Sequence, residues 1–141
     1  MNAVAITGLL LLAALVVPAV AVWARQPRRR ARRRLARLAA IHARDGDRQA
    51  LLTGLSRLLR DHAQALAGEV AVAGLSGGRW LVFLDETGQT DAFTRGPGRV
   101  LVDAPYQSAA TLAERDLDIP GLLAACRAWI DDARFHPEHH R

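Results

Sequence analysis

Few residues of this chain have the type and spacing to do chemistry. Gly74-Leu75-Ser76-Gly77-Gly78 fits the G-x-S-x-G pattern of a nucleophile elbow, a strained strand-to-helix turn that offers a serine hydroxyl to an acyl substrate. That reaction needs a large parallel sheet under the turn, and an acid and a histidine delivered to the serine. The 97 residues from 45 to 141 show no other clear strand pattern and are too few to build such a sheet. Ser76 is read instead as the cap of a short helix from Gly77 to Asp85, with the glycines admitting close packing. The single cysteine, Cys126, falls on an apolar helical face and reads as a small core hydrophobe. Having no partner for an internal disulfide, it fits a reducing compartment. His62 lies on the apolar side of a leucine-rich stretch, the place of a core or boundary histidine. His136, His139 and His140 sit at a chain end, which lacks the fixed geometry a metal demands. All 19 basic residues are arginine, which excludes a P-loop lysine and a Schiff-base lysine. No catalytic residue, metal, cofactor or small-molecule substrate is expected, and the chain reads as a non-enzyme.

The strongest physical signal is an apolar run with a cationic block behind it. Residues 3–24 carry no charge, and Arg28-Arg29-Arg30-Ala31-Arg32-Arg33-Arg34 follows, with Arg37 beyond. As a helix, those 22 residues reach about 33 Å, enough to cross a hydrocarbon core, where only helical backbone satisfies its own hydrogen bonds. Pro18 and Gly8 are tolerated in such helices, and Trp23 stands where an indole meets the headgroups. Residues 25–44 hold nine arginines and no acid, whereas only Met1 and Asn2 precede the run. The positive-inside rule therefore puts the amino terminus outside and the rest in the cytoplasm. The rival reading is a cleaved signal peptide, with Pro18-Ala19-Val20-Ala21 as the cleavage site. It lacks a positive amino-terminal region, and its apolar core is too long.

The chain's formal charge of +5 hides a division. Residues 45–141 hold ten arginines against 14 carboxylates, a net charge of −4, so the domain itself is mildly acidic. This argues against a nucleic-acid binder built on the whole chain. Gln26-Pro27 is expected to interrupt the helix at the membrane surface. A basic helix then runs over residues 28–43, with Ala31, Leu35, Leu38, Ala39 and His42 on one side. Arg28, Arg29, Arg30, Arg32, Arg33, Arg34 and Arg37 are the candidate contacts to anionic headgroups, unless they only set topology.

Asp45-Gly46-Asp47 supplies an N-cap for a helix from Arg48 to Ala67, whose stripe is Leu51, Leu55, Leu58 and Leu66, widened by Leu52 and Leu59. Gly68 ends it. Residues 69–73 read as a strand or a buried connector. Trp80, Phe83 and Leu84 share one helical face, and Gly88 closes that helix. Phe93-Thr94-Arg95-Gly96-Pro97-Gly98 is a turn, with Pro97 starting a short helix to Asp103. A turn or two of helix is placed over 108–115. Asp118-Ile119-Pro120 opens a last helix, lined by Leu122, Leu123, Cys126, Trp129 and Ile130. The fold class is all-α, divided as a transmembrane helix (1–24), an Arg-rich juxtamembrane helix (25–44), a helical cytoplasmic domain (45–135) and a disordered tail (136–141).

Three stretches together resemble a bacterial family known as domain of unknown function 4381. They are Leu58-Leu59-Arg60, residues 73–85 with the run Trp80-Leu81-Val82-Phe83-Leu84-Asp85, and residues 93–101 followed by Pro105-Tyr106. One departure is Asp61-His62, where the family commonly has a second arginine. The resemblance implies a single-span membrane protein encoded beside a MoxR-type AAA+ ATPase and proteins with von Willebrand factor A domains, in clusters linked to aerotolerance. It implies no enzymatic activity.

The expected function is thus a protein-interaction module anchored in the bacterial inner membrane, an accessory of such an assembly. Its contact surface is drawn from whichever of Trp80, Phe93 and Tyr106 the core does not need, with Phe83 and Leu84 inside. The alternative is a membrane-tethered nucleic-acid binder using the arginine segment, which would bind in a steeply salt-dependent way. No aromatic residue interleaves those arginines to stack on bases, so nucleic acid is the weaker expectation.

Overall fold

The computed structural model describes residues 3–137. His139 and His140, and most of the expected disordered tail, lie outside the described residues. Helix is the only repeating structure among them, with no strand, as the pattern of the sequence predicts.

The first helix, α1, runs unbroken from Ala3 to Asp45 and contains both Pro18 and Pro27. The break expected at Gln26-Pro27 is absent. Proline removes one backbone hydrogen bond and clashes with the carbonyl four residues back, a cost of about 3 kcal/mol in a helix interior. Both flanks resist the break. The uncharged run before Pro27 is itself continuous helix from Ala3. The segment after it is held by packing, since Ala31 and Leu35 are buried in the domain core and Leu38 packs against them. At 43 residues the helix is about 64 Å long. Its amino-terminal half carries a window of mean hydropathy 2.6, none of it covered by the rest of the chain. The helix is long and apolar enough to cross a membrane.

α2 (Arg48–Ala67) is the axis of the core. Asp47 caps it by accepting the Ala50 N–H at 2.9 Å. At the other end Gly68 adopts φ +89° and donates its N–H to Gln64 O. Leu51, Leu52, Leu55, Leu58, Leu59, His62 and Ala63 are buried, spread round more than half the helix because neighbours cover it on several sides. α1 approaches α2 closely at Gly54, where a Cβ would lie 2.6 Å from a Leu38 methyl carbon.

Residues Glu69–Ala73, expected as a strand or a buried connector, form one turn of helix, α3, with only Val72 buried. α4 spans Gly77–Gly88, one turn beyond the expected end at Asp85, and stops at Gln89 in the left-handed conformation. Ser76 occupies the N-cap position with extended backbone, yet its hydroxyl makes no capping bond. Close packing at this glycine cluster is also absent, since a Cβ at Gly74, Gly77 or Gly78 would meet nothing within 4 Å. The tight glycines are at the next turn. A Cβ at Gly96 would lie 2.8 Å from Ala92 O, and one at Gly98 would lie 2.5 Å from the Phe93 ring. Two 3-10 turns follow, Pro97–Val102 and Ala104–Tyr106. α5 (Ala109–Glu114) is capped by Ser108, and α6 (Ile119–Asp132) by Asp118, which accepts the Gly121 N–H.

Candidate interaction surface

The Trp80-Leu81-Val82-Phe83-Leu84-Asp85 run sits on α4, with only Val82 exposed. Trp80 and Phe83 stack in near-parallel rings, centroids 5.6 Å apart. Asp85, the last residue of that run, has a structural task. Its carboxylate is buried and accepts the Phe93 and Thr94 N–H groups, each at 2.9 Å, together with the Thr94 hydroxyl. It thereby fixes the start of the Gly-Pro-Gly turn, and Phe93 drops fully into the core.

Arg60 ties a second stretch to the first. Its guanidinium lies 4.4 Å from the Trp80 ring centroid and donates to Leu75 O at 3.0 Å. Behind these groups, Trp129 Nε1 donates to the Thr87 hydroxyl at 3.0 Å, which donates in turn to Phe83 O. The Arg134 N–H donates to Thr87 O, closing α6 onto α4. Cys126 is fully buried, and burial pushes its thiol up to about 12, so it is a core residue and a poor nucleophile. His62 packs edge-on against Trp129 at 5.6 Å. Burial holds its imidazole below the ordinary 6.5, the Arg28 guanidinium adds to this, and a backbone hydrogen bond with Ile130 opposes it.

The three stretches meet at one edge of the domain. Arg60, Ser76, Trp80, Leu101, Pro105 and Tyr106 line a crevice of ≈140 Å³. Of the aromatic residues expected to supply a surface, Trp80 and Phe93 are buried, and Tyr106 stands 88% exposed at the crevice mouth. Phe83 and Leu84 are inside, as expected. A chain with such a residue arrangement matches the family model described as Domain of unknown function (DUF4381) over residues 3–132. The chain belongs to that family. No curated protein and no solved structure matches it.

The DUF4381 stretches account for only part of the exposed apolar surface. A broad groove of ≈1070 Å³ lies between α3, α4 and residues 135–137, with Val70, Leu75, Val82, Phe135, Arg79 and Arg99 in its lining. Val70 is 94% exposed there. Single-residue periodicity gave no sign of this groove, because a one-turn helix is too short to show an apolar face.

The arginines of α1 divide in two. Arg28 is half-buried and donates to Ala133 O, Arg32 pairs with Asp131, and Arg34 pairs with Asp61 at 2.7 Å. Asp61, the departure from the family pattern, therefore serves α1. Arg29, Arg30, Arg33 and Arg37 are exposed and make no ion pair among the described residues.

Proposed function

We infer that the chain is a single-pass protein of the bacterial inner membrane, amino terminus outside, whose cytoplasmic helical domain binds partner proteins. The observation that carries this reading is the convergence of the three family stretches on the crevice beneath Tyr106. An exposed tyrosine with an arginine beside it at the mouth of a small depression suits the anchor of a protein–protein contact. The span confines the domain to two dimensions and raises its effective concentration near other membrane components. No reaction is assigned to it. The partners that the family resemblance suggests are a MoxR-type AAA+ ATPase and a von Willebrand factor A protein.

Lipid contact is narrower in this reading than the arginine run suggests. α1 continues as helix past Pro27, so each residue beyond Ala24 lies about 1.5 Å further along the helix from the hydrocarbon edge. Arg28, Arg29 and Arg30 remain at headgroup level. Arg37 lies about 20 Å out, beyond a Debye length of about 8 Å at physiological salt.

The test is a photo-crosslinker placed at residue 106 of the full-length protein in its native membrane. Recovery of an AAA+ ATPase or a von Willebrand A protein is expected, with Tyr106→Ala cutting that recovery about tenfold or more in an untagged competition, as for a contact anchor. Recovery of neither would remove the reading.

A further inference from the structure

A second cavity lies where the apolar half of α1 meets the domain. Its volume is ≈340 Å³, open to solvent on one side, and it is lined by Ala21, Arg25, Arg28, His62, Leu66 and Arg134, among others. Its volume is at the small end for ligand sites, which run from about 300 to 1000 Å³. Three arginines from two separate parts of the chain, α1 and the segment after α6, line it. Among the described residues lining it, none is acidic. The nearest ion pairs, Arg32–Asp131 and Arg34–Asp61, neutralise other arginines. The side chains of Arg25 and Arg134 are exposed and make no hydrogen bond or ion pair to the protein among the described residues, so five-donor forks stand ready for an anion.

We propose that this cavity binds the phosphate-bearing headgroup of an anionic phospholipid. The chemistry the guanidiniums recognise is a phosphate, whether on a lipid or free. The position selects the lipid. Ala21 belongs to the uncharged run and Arg25 is its first charge, so the cavity spans the level where hydrocarbon gives way to headgroups. Leu66 and Ala65 add an apolar wall on the domain side, suited to the glycerol backbone and the top of an acyl chain. Basic pockets at this depth on the cytoplasmic side are where anionic headgroups bind specifically. The proposal rests on the membrane-anchor reading above and adds a discrete site to it. A bound lipid would bridge α1 to the end of α6 and so set the domain's angle to the bilayer.

The experiment uses the full chain in nanodiscs of phosphatidylcholine containing phosphatidylglycerol, with retained lipid counted by native mass spectrometry. The double variant Arg25→Gln/Arg134→Gln removes two forks that hold no structural bond. Arg33→Gln/Arg37→Gln makes the same charge change away from the cavity. The cavity variant is expected to retain about thirtyfold less phosphatidylglycerol, since two arginines near the surface at about 1 kcal/mol each make about 2 kcal/mol, while the control retains as much as the parent. Excess inorganic phosphate is expected not to displace the lipid. Equal loss in both variants, or no loss in either, overturns the site while leaving the anchor intact. Displacement by inorganic phosphate, or its equal binding in pure phosphatidylcholine discs, overturns the lipid assignment. Failure of the protein to enter discs at all, scored by co-purification, overturns both the anchor and the site. Far-UV circular dichroism of each variant reports whether the helices are retained.

Discussion

At the residue scale, Asp85 does more for this fold than its place in an apolar run suggests. A buried carboxylate receiving three donors cannot be removed without orphaning at least the buried Phe93 N–H. Asp85→Ala is expected to cost about 3 kcal/mol, and Asp85→Asn less, because it keeps one acceptor. Denaturant midpoints of the detergent-solubilised chain check this. His62 is the residue-scale source of pH dependence. Its folded pKa is depressed, so below about 6.5 the unfolded chain takes up a proton that the folded chain refuses, and stability falls as pH drops from there towards the folded pKa. The charged groups that share its two cavities are Arg25, Arg28 and Arg134 on one side and Arg30, Arg34 and Asp61 on the other. A melting temperature that declines from about pH 7 to about pH 5 in the parent, and declines less in His62→Phe, is the expected result. A parallel decline in both would show that His62 contributes nothing.

At the scale of elements, the glycines separate what spacing suggests from what packing requires. Gly78 lies in the first turn of α4 with open space where a Cβ would go. Gly78→Ala should be neutral or stabilise by up to about 1 kcal/mol through helix propensity. Gly96→Ala and Gly98→Ala drive a Cβ into Ala92 and Phe93, and each should destabilise by about 2 kcal/mol or more, as overpacking does. Thermal melts of the three variants rank them directly. α1 invites a similar comparison. Leu35 is buried against the domain, so Leu35→Ala should cost about 2–4 kcal/mol. Arg34–Asp61 is a half-exposed surface pair, and Arg34→Gln should cost less than about 1 kcal/mol. The arginine-rich segment holds the domain through its apolar stripe, with its charges secondary.

For the whole molecule, the consequence of an unbroken α1 is rigidity across the junction. One helix is both the apolar run and a wall of the core, so the domain cannot swing freely on a linker. The expected topology puts a carboxy-terminal reporter in the cytoplasm. A fusion active only in the cytoplasm checks it, and periplasmic activity would overturn the proposed orientation.

Much of this was legible in the residues themselves. The uncharged run, the arginine block and the leucine stripe of α2 are local patterns, and local patterns declare helices, caps and faces. Asp47 and Asp118 cap helices as their spacing indicates, each by a contact three residues away. Pro27 misled because its cost is local while the packing that offsets it, Ala31 and Leu35 against α2 and α6, comes from elsewhere in the chain. The Gly74–Gly78 cluster misled because a glycine's neighbours are not in its sequence. Only the folded chain could bury Trp80 and Phe93, leave Tyr106 outside, hand Asp61 to Arg34, and bring Arg134 to Arg25 across more than a hundred residues. Periodicity reports which side of an element is apolar, and contact between distant elements decides what each side chain meets.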